Sequence, residues 1–184
     1  MKTAVLYASI IGLATAAASA ADITWQTPLT ISGASDVSTL GTYFGSWTPY
    51  AYNSPETVNG VSLGSDLPGV GSTFDNNAGT GTFNSPGTSN ANYNDLLTSA
   101  LFGNGAGPYT VTWGGMTSGN TYQLEFWVND GRNNVTAERS ESLTGGASTS
   151  DALAFGTGAG GTGPGQFILG TFVADETGTQ TITV

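Results

Sequence analysis

The sequence contains neither cysteine nor histidine, and these two absences exclude several classes of function. Without cysteine there is no disulfide framework, and there is no thiolate to bind zinc or to act as a nucleophile. Without histidine there is no imidazole for zinc ligation or for a Ser-His-Asp triad. The chemistry that remains open uses carboxylates, hydroxyls, amides and aromatic rings.

Positive charge is also scarce. Three Lys and Arg residues stand against thirteen Asp and Glu residues, which gives a net charge of −10. The three basic residues are Lys2, Arg132 and Arg139. Because a surface of this charge repels phosphate backbones and anionic lipid headgroups, we expect no nucleic-acid partner and no electrostatic attachment to a membrane.

Charged residues of both signs are few, and the composition indicates a β-rich protein. Charged residues make up 9% of the chain and hydrophobic residues 38%, the reverse of the composition of disordered chains. The 28 glycines disfavour an all-helical fold. Short β-prone runs at regular spacing predict an all-β fold, an antiparallel β-sandwich or jelly roll of about eight strands with one short helix.

The first twenty residues have the pattern of an export signal. Lys2 supplies a positive start, Ala4–Ala18 is an apolar run, and Ala18-Ser19-Ala20 is a cleavage site of small residues. We interpret residues 1–20 as a signal peptide, the alternative being a buried or membrane helix, and 21–184 as a single β-sandwich domain. The protein is then secreted, to an extracellular or cell-surface location. The mature chain has no further apolar run long enough for a membrane span.

Two local signals stand out in the first half of the mature chain. The segment Thr57–Leu63 places Asn59-Gly60 between two β-prone arms, which is typical of a hairpin with a type I′ turn. After the cap candidates Asn92 and Asn94, helical spacing of apolar side chains predicts the short helix. The apolar face of that helix would consist of Tyr93, Leu96, Leu97, Ala100 and Leu101.

Further along the chain, apolar and polar residues alternate with the period of a half-buried strand. The runs Tyr109–Trp113 and Tyr122–Val128, joined by Gly114–Asn120, predict a hairpin, and Phe167–Val173 predicts a further strand. The last run, Thr179–Val184, alternates and then stops. We interpret it as an edge strand of a domain that is incomplete at its C-terminus.

Two short motif matches lack the context that their chemistry needs. Gly60–Gly64 fits the G-x-S-x-G nucleophile elbow, but that elbow requires a histidine base and a turn from strand to helix. Gly156–Gly161 fits the dinucleotide-binding G-x-G-x-x-G, but it leads through Pro164 into a strand rather than into a helix. We therefore interpret the first as a hairpin arm and the second as a surface loop.

An aromatic-rich stretch is the main candidate for a binding surface. Five aromatic residues lie in Thr42–Tyr52, which glycine and proline break, so some rings should be exposed. Flat rings stack on sugars while neighbouring polar side chains bind the hydroxyls; alternatively, Phe44 and Trp47 plug the end of the sandwich. Trp127, on the polar face of its strand, is a second platform unless a helix or loop covers it. The predicted ligand-binding residues are Tyr43, Trp47, Tyr50, Tyr52, Asn53 and Trp127.

Oxygen-rich loop residues suggest a cation site. Calcium takes six to eight oxygen ligands and often mixes carboxylates with amide and backbone carbonyls. Asp75, Asn77 and Asp130 are the candidate metal ligands, and structural calcium is the one cofactor that the sequence suggests, with none established. The spacing matches no EF-hand, and Asx-turns account for the same residues.

The segment Gly115–Arg132, with the sequence GMTSGNTYQLEFWVNDGR, resembles the galactose-binding-like jelly-roll modules of exported bacterial proteins that commonly carry a PEP-CTERM surface-sorting tail. Weaker similarity extends to Val58–Val61, Tyr93–Leu97 and Gly165–Phe172. The resemblance implies a jelly-roll sandwich and a cell-surface or matrix role, with no catalytic residue to carry over. The sorting tail itself does not occur within these 184 residues.

These observations together favour a secreted, non-catalytic binding module whose partner is extracellular polysaccharide or cell-surface material. A structural surface or matrix domain without a small ligand is the alternative. A glycan hydrolase that uses only carboxylates is a third reading, since it needs two facing carboxyl groups, one with a raised pKa. The sequence singles out no such pair, so we expect no enzymatic activity.

Overall fold

The computed structural model describes residues 20–48, 55–78, 81–105, 107–130, 132 and 139–184, so the predicted signal peptide lies outside the described residues except for Ala20. The described chain forms antiparallel sheets and one short helix, which confirms the all-β sandwich. Fifteen strands replace the expected eight, because many are only two or three residues long. The strands are β1 Thr24–Trp25, β2 Leu29–Thr30, β3 Glu56–Val58, β4 Val61–Leu63, β5 Gly71–Ser72, β6 Asn76–Ala78, β7 Ala100–Phe102, β8 Thr110–Trp113, β9 Thr121–Val128, β10 Ser140–Glu141, β11 Thr144–Gly145, β12 Ser148–Thr149, β13 Leu153–Ala154, β14 Gln166–Val173 and β15 Gln180–Thr183; the helix is α1 Ala91–Leu97, with 3-10 turns at Ala34–Asp36 and Ala159–Gly161.

Strand β14 is the centre of the first sheet. One of its edges pairs along its whole length with β9, from Gln166 opposite Val128 to Val173 opposite Thr121. Its other edge pairs with the short strands β1 and β2, which flank Pro28, a residue without an N–H for a ladder. No strand of the described residues pairs with the other edge of β9. Strand β9 is therefore an edge strand of this sheet.

The second sheet has the order β12-β11-β15-β8-β5. The last strand of the chain, β15, lies in its middle between β11 and β8, and not at an edge as the sequence suggested. Strands β8 and β9 belong to different sheets, so the hairpin predicted for them is wrong. The segment between them crosses from one sheet to the other: Gly114 N–H donates to the Pro68 carbonyl (2.9 Å) and Met116 N–H to the Gly178 carbonyl (3.1 Å).

The predicted Asn-Gly hairpin is confirmed. Strands β3 and β4 pair from Glu56 opposite Leu63 to Val58 opposite Val61. Both central residues of the turn have positive φ, 50° at Asn59 and 78° at Gly60, as a type I′ turn requires. The Asn59 side-chain amide donates to the Val37 carbonyl (2.8 Å), which joins the turn to the neighbouring loop.

The predicted helix is confirmed over a shorter range. Its N-cap is Asn90, whose side chain accepts from Tyr93 N–H (2.9 Å), and not Asn92 or Asn94. The hydroxyls of Thr98 and Ser99 bond to carbonyls of the last turn and end the helix there. Ala100 and Leu101, expected on the helical face, lie instead in β7, paired with β6.

No helix in the described part of the chain is both long and apolar enough to cross a membrane.

The buried apolar side chains form two clusters on opposite faces of the first sheet. The sandwich cluster lies between the two sheets, and the helix cluster lies under α1 and the β3–β4 hairpin. Alternation along β14 assigns Ile168 and Phe172 to the sandwich cluster and Phe167 to the helix cluster. The sandwich cluster consists of Ile23, Val111, Trp113, Met116, Val128, Leu143, Leu153, Ile168, Phe172, Ala174 and Ile182, and the helix cluster of Ile31, Val37, Val58, Leu63, Tyr93, Leu96, Leu97 and Phe167.

Candidate functional site

A cavity of about 1230 Å³ runs along the unpaired edge of β9. Every residue from Asn120 to Asn129 contributes to its wall, so the cavity reaches both faces of the strand. Segment 37–48, which we call the rim segment, and the β3–β4 turn form the opposite wall. This volume exceeds the roughly 300–1,000 Å³ of ordinary small-molecule sites. The cavity is therefore large enough for an extended ligand such as an oligosaccharide.

Three of the predicted ligand-binding residues meet in this cavity: Tyr43, Trp47 and Trp127 all contribute to its wall. The other three, Tyr50, Tyr52 and Asn53, lie outside the described residues. Further aromatic wall residues, which sequence reasoning did not select, are Phe44, Phe74, Tyr93, Trp113, Tyr122, Phe126, Phe155 and Phe172.

Tyr43 is the exposed aromatic residue of the rim segment, with 44% of its surface accessible. Its hydroxyl hydrogen-bonds to the Asp66 carboxylate and to the Ser46 hydroxyl, both at 2.7 Å. Partial burial, together with the adjacent Asp66 carboxylate, raises the pKa of Tyr43 to about 12. The same carboxylate accepts from Ser46 N–H (2.9 Å). This network holds the Tyr43 ring in place at the mouth of the cavity while it stays accessible.

Trp47 and Phe44 lie deeper in the rim segment. Both are half-buried and pack against the sandwich cluster, as the interpretation that they plug one end of the sandwich requires. The Phe44 ring meets Tyr122 edge-on, with centroids 5.2 Å apart. Gly45, between them, lies so close to Leu67 that an added Cβ would be 2.9 Å from the Leu67 Cα. These two rings therefore have a packing role and also form part of the cavity wall.

Glu125 and Trp127 lie on the face of β9 that points away from the sandwich cluster. The Glu125 Oε2 atom accepts from Ser38 N–H (3.1 Å), which fastens one end of the rim segment. Burial raises the pKa of Glu125 to about 7, although the Ser38 hydrogen bond opposes this shift. Trp127 packs against the helix cluster and is half-buried, so the helix does cover it in part. The Glu125 Oε1 and Trp127 Nε1 atoms are buried, and neither has a hydrogen-bond partner among the described residues.

A second carboxyl group, that of Glu141 in β10, lies in the wall of the same cavity. Burial raises its pKa to about 7 as well. Lysine and arginine are absent from the described residues of the cavity wall. The cavity therefore combines aromatic rings with carboxyl groups and, over the described residues, lacks a cationic partner for an anionic ligand.

Each predicted calcium ligand has its own set of contacts. The Asp75 carboxylate accepts from Asn104 N–H (2.8 Å) and from the Tyr109 hydroxyl (3.1 Å), and Asn77 is an exposed residue of β6. In the part of the chain that the structure describes, no three His, Cys, Asp or Glu residues are grouped to hold a metal ion. Calcium binding stays a prediction.

Asp130, the third predicted calcium ligand, has two arginine partners. Its buried carboxylate accepts two hydrogen bonds from the Arg132 guanidinium, each 2.7 Å long, one from Arg132 N–H (3.4 Å), and another from Arg139. Although burial opposes ionisation, these hydrogen bonds lower the pKa of Asp130. The guanidinium groups also lie over the rings of Phe83 and Phe155. The two guanidinium groups therefore neutralise the charge of the buried Asp130 carboxylate, as is typical of buried ion pairs. We assign these ion pairs a structural role.

Sequence reasoning missed the two carboxyl groups of the cavity. Glu125 did have a weak signal, because it precedes Trp127 by two residues and therefore shares a strand face with that large ring. Glu141 had no local signal, because the sequence around it does not show that β10 contributes to the cavity wall. A comparison of the chain with protein-family models, curated proteins and solved structures found no match.

Proposed function

We propose that this protein is a secreted, non-catalytic module of the galactose-binding-like jelly-roll type that binds extracellular polysaccharide or cell-surface material. The observation that carries the proposal is the cavity along β9, whose lining includes Tyr43, Trp47 and Trp127. Aromatic faces pack against the C–H faces of sugar rings, and the polar groups between them suit sugar hydroxyls. The sequence signals for export support the extracellular location.

Charge narrows the class of polysaccharide. The net charge is −10, and Arg132 and Arg139 are both bonded to Asp130. The charged side chains of the described cavity wall are Glu125 and Glu141. Uronic acids and sulfated sugars would meet the net negative charge of the protein and, above about pH 7, two ionised carboxylates in the cavity, so the ligand class we propose is neutral.

The test is retention on neutral polysaccharides and on a glycan array, with the exported protein and two variants, Tyr43→Ala and Trp47→Ala. We expect both variants to lose binding at least tenfold. Trp25→Ala and Tyr109→Ala are the matched controls, because each removes a half-buried ring outside the cavity wall, and Trp25 packs on the same sandwich cluster as Trp47. Absence of retention on every glycan would contradict the proposal and would favour the structural or matrix role without a small ligand.

A carboxylate-dependent glycan hydrolase is the second candidate, and one observation favours it. Glu125 and Glu141 lie in one cavity wall, and each has a pKa raised to about 7, the property that a general acid needs. Release of reducing sugar from a bound polysaccharide, abolished by Glu125→Gln or Glu141→Gln, would establish this activity in place of simple binding.

A further inference from the structure

The residue directly after the proposed cleavage site is bound by a buried side chain of the second sheet. Ala21 N–H donates to the Gln180 Oε1 atom (3.0 Å), and the Gln180 Nε2 atom donates to the Ala21 carbonyl (2.9 Å). Gln180 is 0% exposed and shares its strand face with Ile182 of the sandwich cluster. One buried amide therefore pairs with both backbone polar groups of the residue that would begin the mature chain.

The next two residues are held against the turn between β11 and β12. The Asp22 carboxylate accepts from Ala147 N–H (2.6 Å). Ile23 is 1% exposed within the sandwich cluster, and its N–H donates to the Gly145 carbonyl (3.4 Å). We call residues 20–23 the N-terminal segment, and we call Gln180 together with the turn residues 145–147 the dock.

The dock also approaches the proposed cleavage site itself. Gly146 has φ 61°, and a Cβ added there would lie 2.7 Å from the Ala20 carbonyl oxygen and 2.8 Å from the Asp22 nitrogen. Glycine therefore allows both the left-handed backbone and the close approach of the two chains. The Ala20 carbonyl, which a peptidase has to attack, packs against the backbone of this turn in the folded protein.

These contacts limit when the signal peptide can be removed. Proteases cut at exposed, poorly ordered segments, which can enter an active site in an extended form. Hydrolysis of the Ala20–Ala21 bond adds one water and leaves a carboxylate on Ala20 and an α-ammonium group on Ala21. The dock holds the residues on the Ala21 side of this bond, so the bond cannot enter a peptidase while the N-terminal segment is docked.

We propose that the dock protects the Ala20–Ala21 bond in the folded protein, so that a signal peptidase has to cleave it before the N-terminal segment docks. The new α-ammonium group keeps N–H donors for Gln180 Oε1, so the dock then binds the mature N-terminus. This inference rests on the export signal of the proposed function. It adds the order of the two events, with hydrolysis first and docking second.

The test compares cleavage before and after folding. The full-length precursor is diluted from urea into detergent micelles, and a purified signal peptidase is present from the start or is added after tryptophan fluorescence shows that folding is complete. We expect cleavage at Ala20–Ala21 to be about tenfold slower in the folded precursor, because it then requires transient opening of the dock. Equal rates in the two orders of addition would overturn the inference.

A precursor with a displaced cleavage site is the control for the peptidase. A short flexible insertion after Ala20, beginning with Ala-Asp, keeps the residues around the cleaved bond and moves that bond away from the dock. This precursor should be cleaved at the same rate before and after folding. Slow cleavage of its folded form as well would show that folding hinders the peptidase without the dock, which also overturns the inference.

Two pairs of variants locate the protection. Gly146→Ala places a methyl group against the docked segment, whereas Gly119→Ala adds a Cβ at φ 80° with nothing within 4 Å. Gln180→Leu removes the amide of the dock, and Gln166→Leu removes a half-buried glutamine that bonds a different backbone N–H in the first sheet. We expect the folded Gly146→Ala and Gln180→Leu precursors to be cleaved about fivefold faster than the wild type, and the two controls at the wild-type rate.

Urea denaturation, measured in parallel, identifies variants that are unfolded at the outset. For such a variant the comparison passes to the other member of the dock, and the order-of-addition experiment on the wild type decides in any case. Folded dock variants that are cleaved as slowly as the wild type would assign the protection to other contacts and refute the role of Gln180 and Gly146.

N-terminal sequencing of the exported protein separates this inference from the proposed function. If the exported chain begins at Ala21 but the folded precursor is cleaved as fast as the unfolded one, the docking order is refuted and the export signal stands. If the exported chain keeps residues 1–20, the export signal fails and the inference fails with it.

Discussion

The two faces of strand β9 differ in whether the polar atoms of their side chains have hydrogen-bond partners. On the inner face, Tyr122 stacks on Phe172 with ring centroids 5.9 Å apart, and its hydroxyl accepts from Thr117 N–H (2.9 Å). On the outer face, Glu125 and Trp127 each retain a buried polar atom without a partner among the described residues. Both faces belong to the same eight residues and the same pairing with β14.

Under the proposed function, this difference separates side chains that stabilise the fold from side chains that line the binding cavity. The inner face packs between the two sheets, where alternate apolar side chains remove surface from water and stabilise the fold. The outer face lies under a short helix and a hairpin, and there the apolar cover includes polar atoms whose burial has a cost of about 1–3 kcal/mol each. Groups with such a cost are expected at binding sites more than in a structural core.

The largest expected effect comes from removing a buried aromatic ring on the inner face of the first sheet. Phe172 is 4% exposed and also meets Trp113 edge-on, so Phe172→Ala leaves a cavity between the sheets. We expect the free energy of unfolding to fall by about 3–5 kcal/mol, as measured by urea denaturation. The neighbouring Val173, which is 54% exposed on the other side of β14, is the control, and Val173→Ala should cost less than about 1 kcal/mol. Equal losses would contradict the assignment of the two faces.

A second test uses pH to detect the buried carboxyl groups. Glu125 and Glu141 have an ordinary pKa of 4.5, and burial raises both values to about 7 in the folded protein. The folded state therefore binds their protons more tightly than the unfolded state does. The stabilisation is complete below about pH 4.5 and is lost as the pH rises through 7, at most about 3 kcal/mol for each group.

Denaturant melts at several pH values between 4 and 8 measure this loss. The double variant Glu125→Gln and Glu141→Gln should have a much flatter profile over that interval than the wild-type protein. Glu176→Gln changes the charge equally at an exposed turn and should leave the wild-type slope in place. A wild-type slope of the opposite sign would show that these carboxyl groups are not buried as described.

The smallest effect concerns the hairpin that covers the outer face. Gly60 has φ 78°, and an added Cβ would meet nothing within 4 Å, so Gly60→Ala tests backbone strain without a steric clash. We expect a loss of about 1 kcal/mol in the free energy of unfolding. Ser62→Ala, an exposed position in β4, should change it by less than half of that. An unchanged stability in Gly60→Ala would argue against the type I′ turn.

The elements that the sequence predicted correctly have local causes. The Asn59-Gly60 turn follows from the positive φ that these two residue types tolerate. The strand Phe167–Val173 is confirmed within β14, and the helix is confirmed around Tyr93, Leu96 and Leu97. In each of these, a few neighbouring residues contain the whole physical reason for the structure.

The errors occurred where pairing partners are distant. The alternation of Tyr109–Trp113 and Tyr122–Val128 fits a hairpin, but it fits a strand in either sheet of a sandwich equally well. The loop between them bonds to Pro68 and Gly178, and neither contact is visible in the local pattern. In the same way, the period of α1 appeared to continue to Leu101, because apolar side chains of a following strand can match a helical spacing by chance.

The candidate site was predicted only in part for the same reason. Tyr43 and Trp47 were selected as aromatic residues in a broken segment, and Trp127 as a ring on a polar face, and the structure brings all three to one cavity. Their proximity, and the inclusion of Glu141, depend on how the two sheets and the rim segment pack. Composition identifies rings that are available for binding, whereas the fold decides which of them line the same cavity.

The sequence by itself determined that this protein is β-rich and acidic, that it turns sharply at Asn59-Gly60, and that imidazole and thiol chemistry is closed to it, because these properties depend on residue types and their immediate neighbours. Only the tertiary structure decided that β9 borders a cavity along one edge, that β15 lies inside a sheet, and that Glu125 and Glu141 are half-buried in the wall of that cavity. Pairing and burial arise from contacts between residues far apart in the chain, and a period-two pattern is the same whichever strand lies beside it.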